Sequence, residues 1–314
     1  MTPSIIQAFA KEQHAANASL YLLLDPLADC AEDDPLHIDA LCQSLGSDAV
    51  TRLRRPDLAH TPQACPVLVT LAAAGAEPSG YLLSMSALRA KEDERRSRRY
   101  VCGWLSSAAK ATTVSSHLIK LGYLPISVGT KFFPVYEPLR LELLVATLKV
   151  GETGSWWPIH QWLIPTSSGA TSCLIGQPDT SVEFSAFASS VQQDAALVSS
   201  LLGAWRRAVS LPLTYAPARW EGPTLLPPQA AAQAYKQIRG ARHLGLKNQH
   251  DIVALALHRL MLHSSLHTHT DIGLAIERAI ENGTSLAKLF AELNDQSWQR
   301  IVSDLTFAGA HQWP

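Results

Sequence analysis

The chain has 314 residues, of which 47% are hydrophobic and 17% charged, and its formal net charge is -1. Such a composition describes a globular protein of about two domains with a sizeable core, and the charge balance excludes a global field that would draw nucleic acid or an anionic membrane surface. The longest apolar stretches, Leu20–Leu24 and Val67–Ala74, fall far short of the ~20 residues that span a bilayer as a helix.

Met1–Ser19 carries Lys11, Glu12 and His14 and lacks a long apolar core, so no secretory signal is expected. Leu20–Leu24, ending at Asp25-Pro26, predicts a buried strand. The acidic stretch 29–34 breaks structure ahead of Pro35. Residues 36–45 predict a short helix with Leu36, Leu41 and Leu45 apolar, and 54–62 a loop. Pro66–Leu71 predicts a second strand and 75–80 a turn. Six basic residues between Arg89 and Arg99 surround Glu92, Asp93 and Glu94, a pattern expected of a solvated face. Tyr100–Leu105 predicts a third strand. A helix is expected from a cap at Thr112 or Thr113 to Leu121, with Val114, Leu118 and Leu121 inward and Gly122 as its stop.

Phe132–Tyr136 predicts another strand, with Pro134 demanding an edge or a bulge. Glu137-Pro138 opens a helix striped by Leu141, Leu144, Val145 and Leu148 and ended by Gly151 and Gly154. Ser155–Trp162 resumes extended structure, with Trp156 and Trp162 on one face and Trp157 opposite. Thr166–Pro178 reads as loop. From Phe184 the pattern is helical, with Phe187, Val191, Ala195, Val198, Leu201, Leu202 and Trp205 in a stripe. Five prolines in 211–228 predict a stiff connector.

Residues 229–244 predict a helix burying Tyr235 and Ile238, stopped by Gly245. Asn248 caps the next, with Asp251 near a capping-box position and Ile252, Leu255, Ala256 and Leu260 as its stripe. Three amphipathic segments follow: Ile272, Ala275, Ile276, Ala279 and Ile280; Leu286, Leu289, Phe290 and Leu293; Trp298, Ile301, Val302 and Leu305. The expected fold is an α/β (α+β) N-terminal lobe with a small mixed sheet, then an all-α C-terminal lobe of short helices. The expected domains are 1–175 (mixed α/β), 176–228 (a linker with one helix) and 229–314 (the helical lobe).

Chemistry-bearing motifs are sparse. There is no G-x-S-x-G, no Walker A sequence and no G-x-G-x-x-G. Cys30, Cys42, Cys65, Cys102 and Cys173 are odd in number and widely spaced with no C-x-x-C, the pattern of reduced cytosolic thiols. His263 and His267, four apart, could share an ion on a helical face, or could belong to a polar helix end before a cap at Thr270 or Asp271. Trp156, Trp157 and Trp162 read either as core packing or as the rim of a partner site. Glu137 and Arg140 read either as a capped first turn or as charges setting the register of a bound partner.

The order of these segments resembles the effector adaptors of the type VI secretion system, also called Tap or TEC chaperones. The resemblance is carried by the strand Leu20–Leu24 running into Asp25, the strand Pro66–Leu71, Gly103-Trp-Leu-Ser-Ser107, and His117-Leu118 on a helix. Phe132–Arg140, Trp157–Trp162 and the helical lobe with Gly245-Leu246 and Trp298 complete it. Glu137 stands where the family usually has Asp. The resemblance implies a cytoplasmic chaperone-adaptor that is not an enzyme and needs no cofactor or metal. It would bind an effector segment in a cleft between lobes and help load it onto the spike protein (VgrG), with no nucleic acid or membrane partner. Trp104, Tyr136, Glu137, Arg140, Trp156, Trp157 and Trp162 are the candidate partner-binding residues. A hydrolase or transferase with an unrecognised site is the alternative, and a metal-binding regulatory protein the third reading.

Overall fold

The computed structural model describes residues 3–13, 17–148, 156–178, 184–210 and 225–310. The chain forms two compact units, Met1–Gln193 and Asp194–Pro314. Among the described residues no helix is long and apolar enough to cross a membrane.

The first unit is built on a six-stranded sheet. In chain order its strands are β1 (Ser19–Leu24), β2 (Val50–Arg52), β3 (Val67–Ala72), β4 (Val101–Ser107), then β5 (Tyr123–Pro125) and β6 (Thr130–Phe132), which form a separate hairpin, β7 (Gln161–Pro165) and β8 (Thr171–Ile175). The large sheet runs β2-β3-β1-β4-β7-β8, and every pairing is antiparallel. Helices cover both of its faces, so the central strands bury residues of both parities and read as unbroken apolar runs. Leu20, Leu22, Leu24 and Trp104 join one core with α1 (Pro3–Gln13), α2 (Ile38–Leu45) and α3 (Gly80–Glu92). Tyr21, Leu23, Leu105 and Trp162 join the other with α4 (Ala111–Leu121), α5 (Pro138–Val145) and α6 (Ala186–Gln193).

A bulge shifts the β1–β4 register between Leu23, opposite Gly103, and Leu24, opposite Val101. Gly103 sits there at φ +152°. A Cβ at that position would stand 2.7 Å from the Leu163 carbonyl oxygen and 2.7 Å from the Trp162 indole nitrogen. Glycine therefore answers both a backbone and a space requirement.

Several elements depart from the sequence reading. The charge run is not one solvated face. Its first part is the end of α3, whose inward stripe of Leu82, Leu83, Ser86, Ala87 and Ala90 contains too many small residues to stand out. Arg89 turns inward to pair with Asp93 at 3.2 Å and Asp34 at 3.3 Å, and Asp93 is fully buried. Thr112 and Thr113 do not cap α4, which starts at Ala111 after Lys110 with no side-chain cap bond. The strand expected over 132–136 ends at Phe132, where Pro134 can no longer donate to a ladder. Part of the loop expected over 166–178 is β8, an edge strand that buries only Leu174 and so lacks an apolar signature.

Among the described residues the expected linker 176–228 contains two helices, not one. α6 belongs to the first unit, and α7 (Ala195–Val209) opens the second. The boundary falls between them because Gln192 is bonded to Arg140 in the first unit while Asp194 pairs with Arg242 in the second at 2.6 Å. Residues 211–224 of that linker, and Gly151, Gly154 and Ser155, lie outside the described residues.

The second unit continues with α8 (Ala230–His243), α9 (Gln249–Met261), α10 (Thr270–Asn282), α11 (Leu286–Ala291) and α12 (Asp295–Ala310). α7, α8 and α9 pack on one another, and α11 touches α9 and α10. Gly245 follows α8 at φ +96°, and the Asn248 side chain accepts from the His250 amide at 2.8 Å. Asp251 does not close a capping box. It is buried, and it accepts from the Leu286 amide at 2.8 Å and the Ser285 hydroxyl at 3.3 Å, capping α11 from 35 residues away. His258 stacks on Trp298 with ring centroids 5.1 Å apart and meets Phe290 edge-on at 4.8 Å.

Candidate functional site: a polar network and the groove above it

In the first unit, charged residues from distant parts of the sequence converge where β1 ends. Arg55 is buried, 6% exposed, which is rare for an arginine without partners. It donates from Nη1 to the Tyr136 hydroxyl at 2.7 Å and from Nη2 and Nε to the Asp57 carboxylate at 2.7 and 3.1 Å. Glu137 lies 3.9 Å from the same guanidinium. Arg140, one turn into α5, donates from Nε to Glu137 at 3.1 Å and from Nη1 to the Gln192 carbonyl at 2.9 Å. The Gln192 amide returns a bond to the Arg140 carbonyl at 2.8 Å.

Asp25, the residue that stops β1, is buried beside this chain of bonds. Burial pushes its pKa up to about 6. The Leu27 amide, 3.0 Å away, opposes the rise, Glu137 reinforces it, and Arg55 opposes it. Burial also holds the Tyr136 phenol far above its usual range, with Asp25 adding to the effect. Asp25, Arg55, Tyr136, Glu137, Arg140 and Gln192 therefore form one electrostatic unit linking the end of β1 to α5 and α6. Arg55 and Glu137 are already held by protein partners, so the unit is suited to fixing backbone positions.

Above it lies a groove of about 750 Å³ between the β5–β6 hairpin, the segment at Phe133-Pro134, and α6. Lys131, Phe132, Phe133, Arg140, Ser190 and Gln193 are among its lining residues. The Lys131 ammonium stands 5.5 Å from the centre of the Phe133 ring, within cation–π range.

The candidate partner-binding residues divide by burial. Trp104 is fully buried in β4, its indole donating to the Ser86 hydroxyl at 3.0 Å. Tyr136 and Trp162 are fully buried and Trp156 is 2% exposed. Trp156 and Trp162 meet edge-to-face at 6.2 Å. These four are core residues, because helices cover both faces of the sheet and leave no rim for them to line. Only Trp157, Glu137 and Arg140 reach the surface. Trp157 is 40% exposed and stacks on His160 at 5.0 Å. Sequence reasoning missed Asp25, Arg55 and Gln192 as site residues. A charge directly after an apolar strand, and an arginine directly before proline, were the available signals.

His263 and His267 do not share a helical face. α9 ends at Met261, His263 accepts from the Ser265 amide at 3.2 Å, and His267 lies in a short 3-10 turn. Among the described residues no group of three or more His, Cys, Asp or Glu side chains could hold a metal ion. A pocket of about 230 Å³ contains Cys30, His37 and Tyr100. Burial, with Asp34 beside it, raises the Cys30 thiol pKa, the opposite of what a nucleophilic thiolate requires.

Comparison with known proteins finds no family model, no curated protein and no solved structure that matches the chain.

Proposed function

We propose that the chain is a cytoplasmic adaptor-chaperone of the type VI secretion kind, which binds a segment of an effector protein and helps load it onto the spike protein. One observation carries the reading. Tyr136, Glu137 and Arg140 from the Phe132–Arg140 segment of the resemblance join one bonded network with Arg55, and Asp25, from its first strand, is buried beside that network. A shared architecture would preserve that kind of unit, because losing a bonded partner of the buried Arg55 strands its charge.

The groove beside the network is the surface we assign to the effector segment. Apolar side chains in it supply burial at about 25 cal/mol per Å². The cations at its edge set register and association rate more than affinity.

The test is co-expression of the chain with the toxin and the spike protein encoded by adjacent genes. A stable stoichiometric complex with the toxin is expected. A toxin that remains well folded but never co-purifies would overturn the reading.

A further inference from the structure

We propose that the groove between the β5–β6 hairpin and α6 selects an acidic residue flanked by apolar ones in an otherwise variable polypeptide. The inference deepens the adaptor reading by naming the chemistry of the bound segment, and it rests on that reading for the partner's identity.

Charge complementarity is the first argument. The groove's charged lining residues are Lys131 and Arg140, and no carboxylate lines it. Lys131 is exposed and has no carboxylate partner among the described residues. Arg140 uses Nε on Glu137 and Nη1 on Gln192, which leaves Nη2 without a partner among the described residues. Its Nε and Nη1 bonds hold the guanidinium plane still, so this remaining donor is fixed in direction before a ligand arrives. α6 lies along the groove with both of its ends, Ala186 and Gln193, in the lining, so its dipole adds no net charge and the field comes from the two side chains.

The second argument is the apolar lining. Ile126, Phe132, Phe133 and Pro134 stand beside the two cations. A free inorganic anion would use only the cations. A peptide carboxylate with apolar neighbours would use both. Nucleic acid fits less well, because its recognition needs a broad basic surface and this chain carries a net charge of -1. A volume of about 750 Å³ lies in the range of sites that take a few side chains, not a whole folded surface.

The experiment is selection of a random 12-residue peptide phage library on the immobilised full chain, followed by fluorescence anisotropy with the enriched peptides. Enriched sequences are expected to carry Asp or Glu flanked by aliphatic or aromatic residues. Binding should weaken at least about tenfold, corresponding to 1.4 kcal/mol, in the double variant Lys131→Glu, Ser190→Glu. Both side chains are exposed and neither belongs to the buried network. The single variant Ser190→Lys should tighten binding and stands as the test if the double variant does not fold. No enrichment, enriched peptides without an acid, or equal binding to all variants would overturn the proposal. So would a labelled single-stranded RNA 20-mer binding as tightly as the peptides. If the toxin co-purifies equally with the wild type and the double variant, the groove assignment alone fails. If acidic peptides bind but the neighbouring toxin does not, the adaptor reading alone fails.

Discussion

Arg140 and Gln192 hold each other in both directions. The arginine donates to the glutamine carbonyl at 2.9 Å and the glutamine side chain donates to the arginine carbonyl at 2.8 Å. Gln192 is 1% exposed, so water cannot replace these bonds without opening the contact. The pair fastens α6 to α5 and so fixes one wall of the groove to the polar network beneath it.

Gln192→Ala removes the reciprocal side-chain bond and leaves the Arg140 carbonyl less satisfied. A loss of ~1–3 kcal/mol in the stability of the first unit is expected, the usual penalty for an orphaned buried partner. Urea unfolding should show it, together with faster hydrogen exchange in 186–193. A variant as stable as wild type with unchanged exchange there would mean α6 is held by its apolar contacts alone.

Asp25 makes the first unit more stable as pH falls from neutrality toward 4. Its carboxyl titrates at about 6 in the folded chain against an ordinary 3.8, so between those values the folded state binds more protons than the unfolded. Stability from this group is fully present below the lower value and is lost as pH rises through the upper one. The difference corresponds to ~3 kcal/mol. Asp25→Asn keeps an oxygen for the Leu27 amide and removes the charge. It should equal or exceed wild type at pH 8 and lose its advantage at pH 4, measured by denaturant midpoints. A variant much weaker at pH 8 would show that the ionised carboxylate is needed there.

The architecture was legible where physics writes a periodic pattern. β1, β3 and β4 are covered on both faces, and their unbroken apolar runs announce it. The helices of the second unit bury one stripe each, and their spacing announces that. α3 was hidden because it packs through Ala87, Ala90 and Ser86, and β8 because an edge strand needs little apolar surface. The candidate site was legible only in part. Aromatic residues suggested a partner surface, yet Trp104, Trp156 and Trp162 fill cores that no local pattern reveals. Asp25 meets Arg55 and Glu137 only through tertiary structure.

Gly103→Ala should destabilise the first unit strongly. The new methyl group would meet the Leu163 backbone oxygen at 2.7 Å, and a backbone atom cannot swing aside as a flexible side chain can. The residue's φ of +152° adds strain for any side chain. A cost of ~2–4 kcal/mol is expected from the two effects together. Alanine at Gly46, at φ +89° with nothing within 4 Å of the added Cβ, isolates the backbone strain. If both variants lose the same stability, the crowding at Leu163 and Trp162 contributes nothing.

His258 imposes the opposite pH dependence on the second unit. It is packed between Phe290 and Trp298, and its Nδ1 lies 2.8 Å from the Ala254 carbonyl. Burial lowers its pKa below the ordinary 6.5, and the Ala254 contact offsets this only in part. Below pH 6.5 the unfolded chain therefore takes up a proton that the folded unit resists, and stability is lost as pH falls from there through the folded value. The His258 ring proton should titrate below 6.5 by NMR. Guanidinium unfolding of the second unit, followed by exchange of amides in α9 and α11, should weaken between pH 7.5 and 5.5. In His258→Phe that part of the pH dependence should vanish, because a phenyl ring keeps the aromatic contacts and binds no proton. A ring proton titrating above 6.5 would instead mean that protonated His258 is favoured by its place in the fold, with the stacked Trp298 face acting as a cation–π partner stronger than the loss of water.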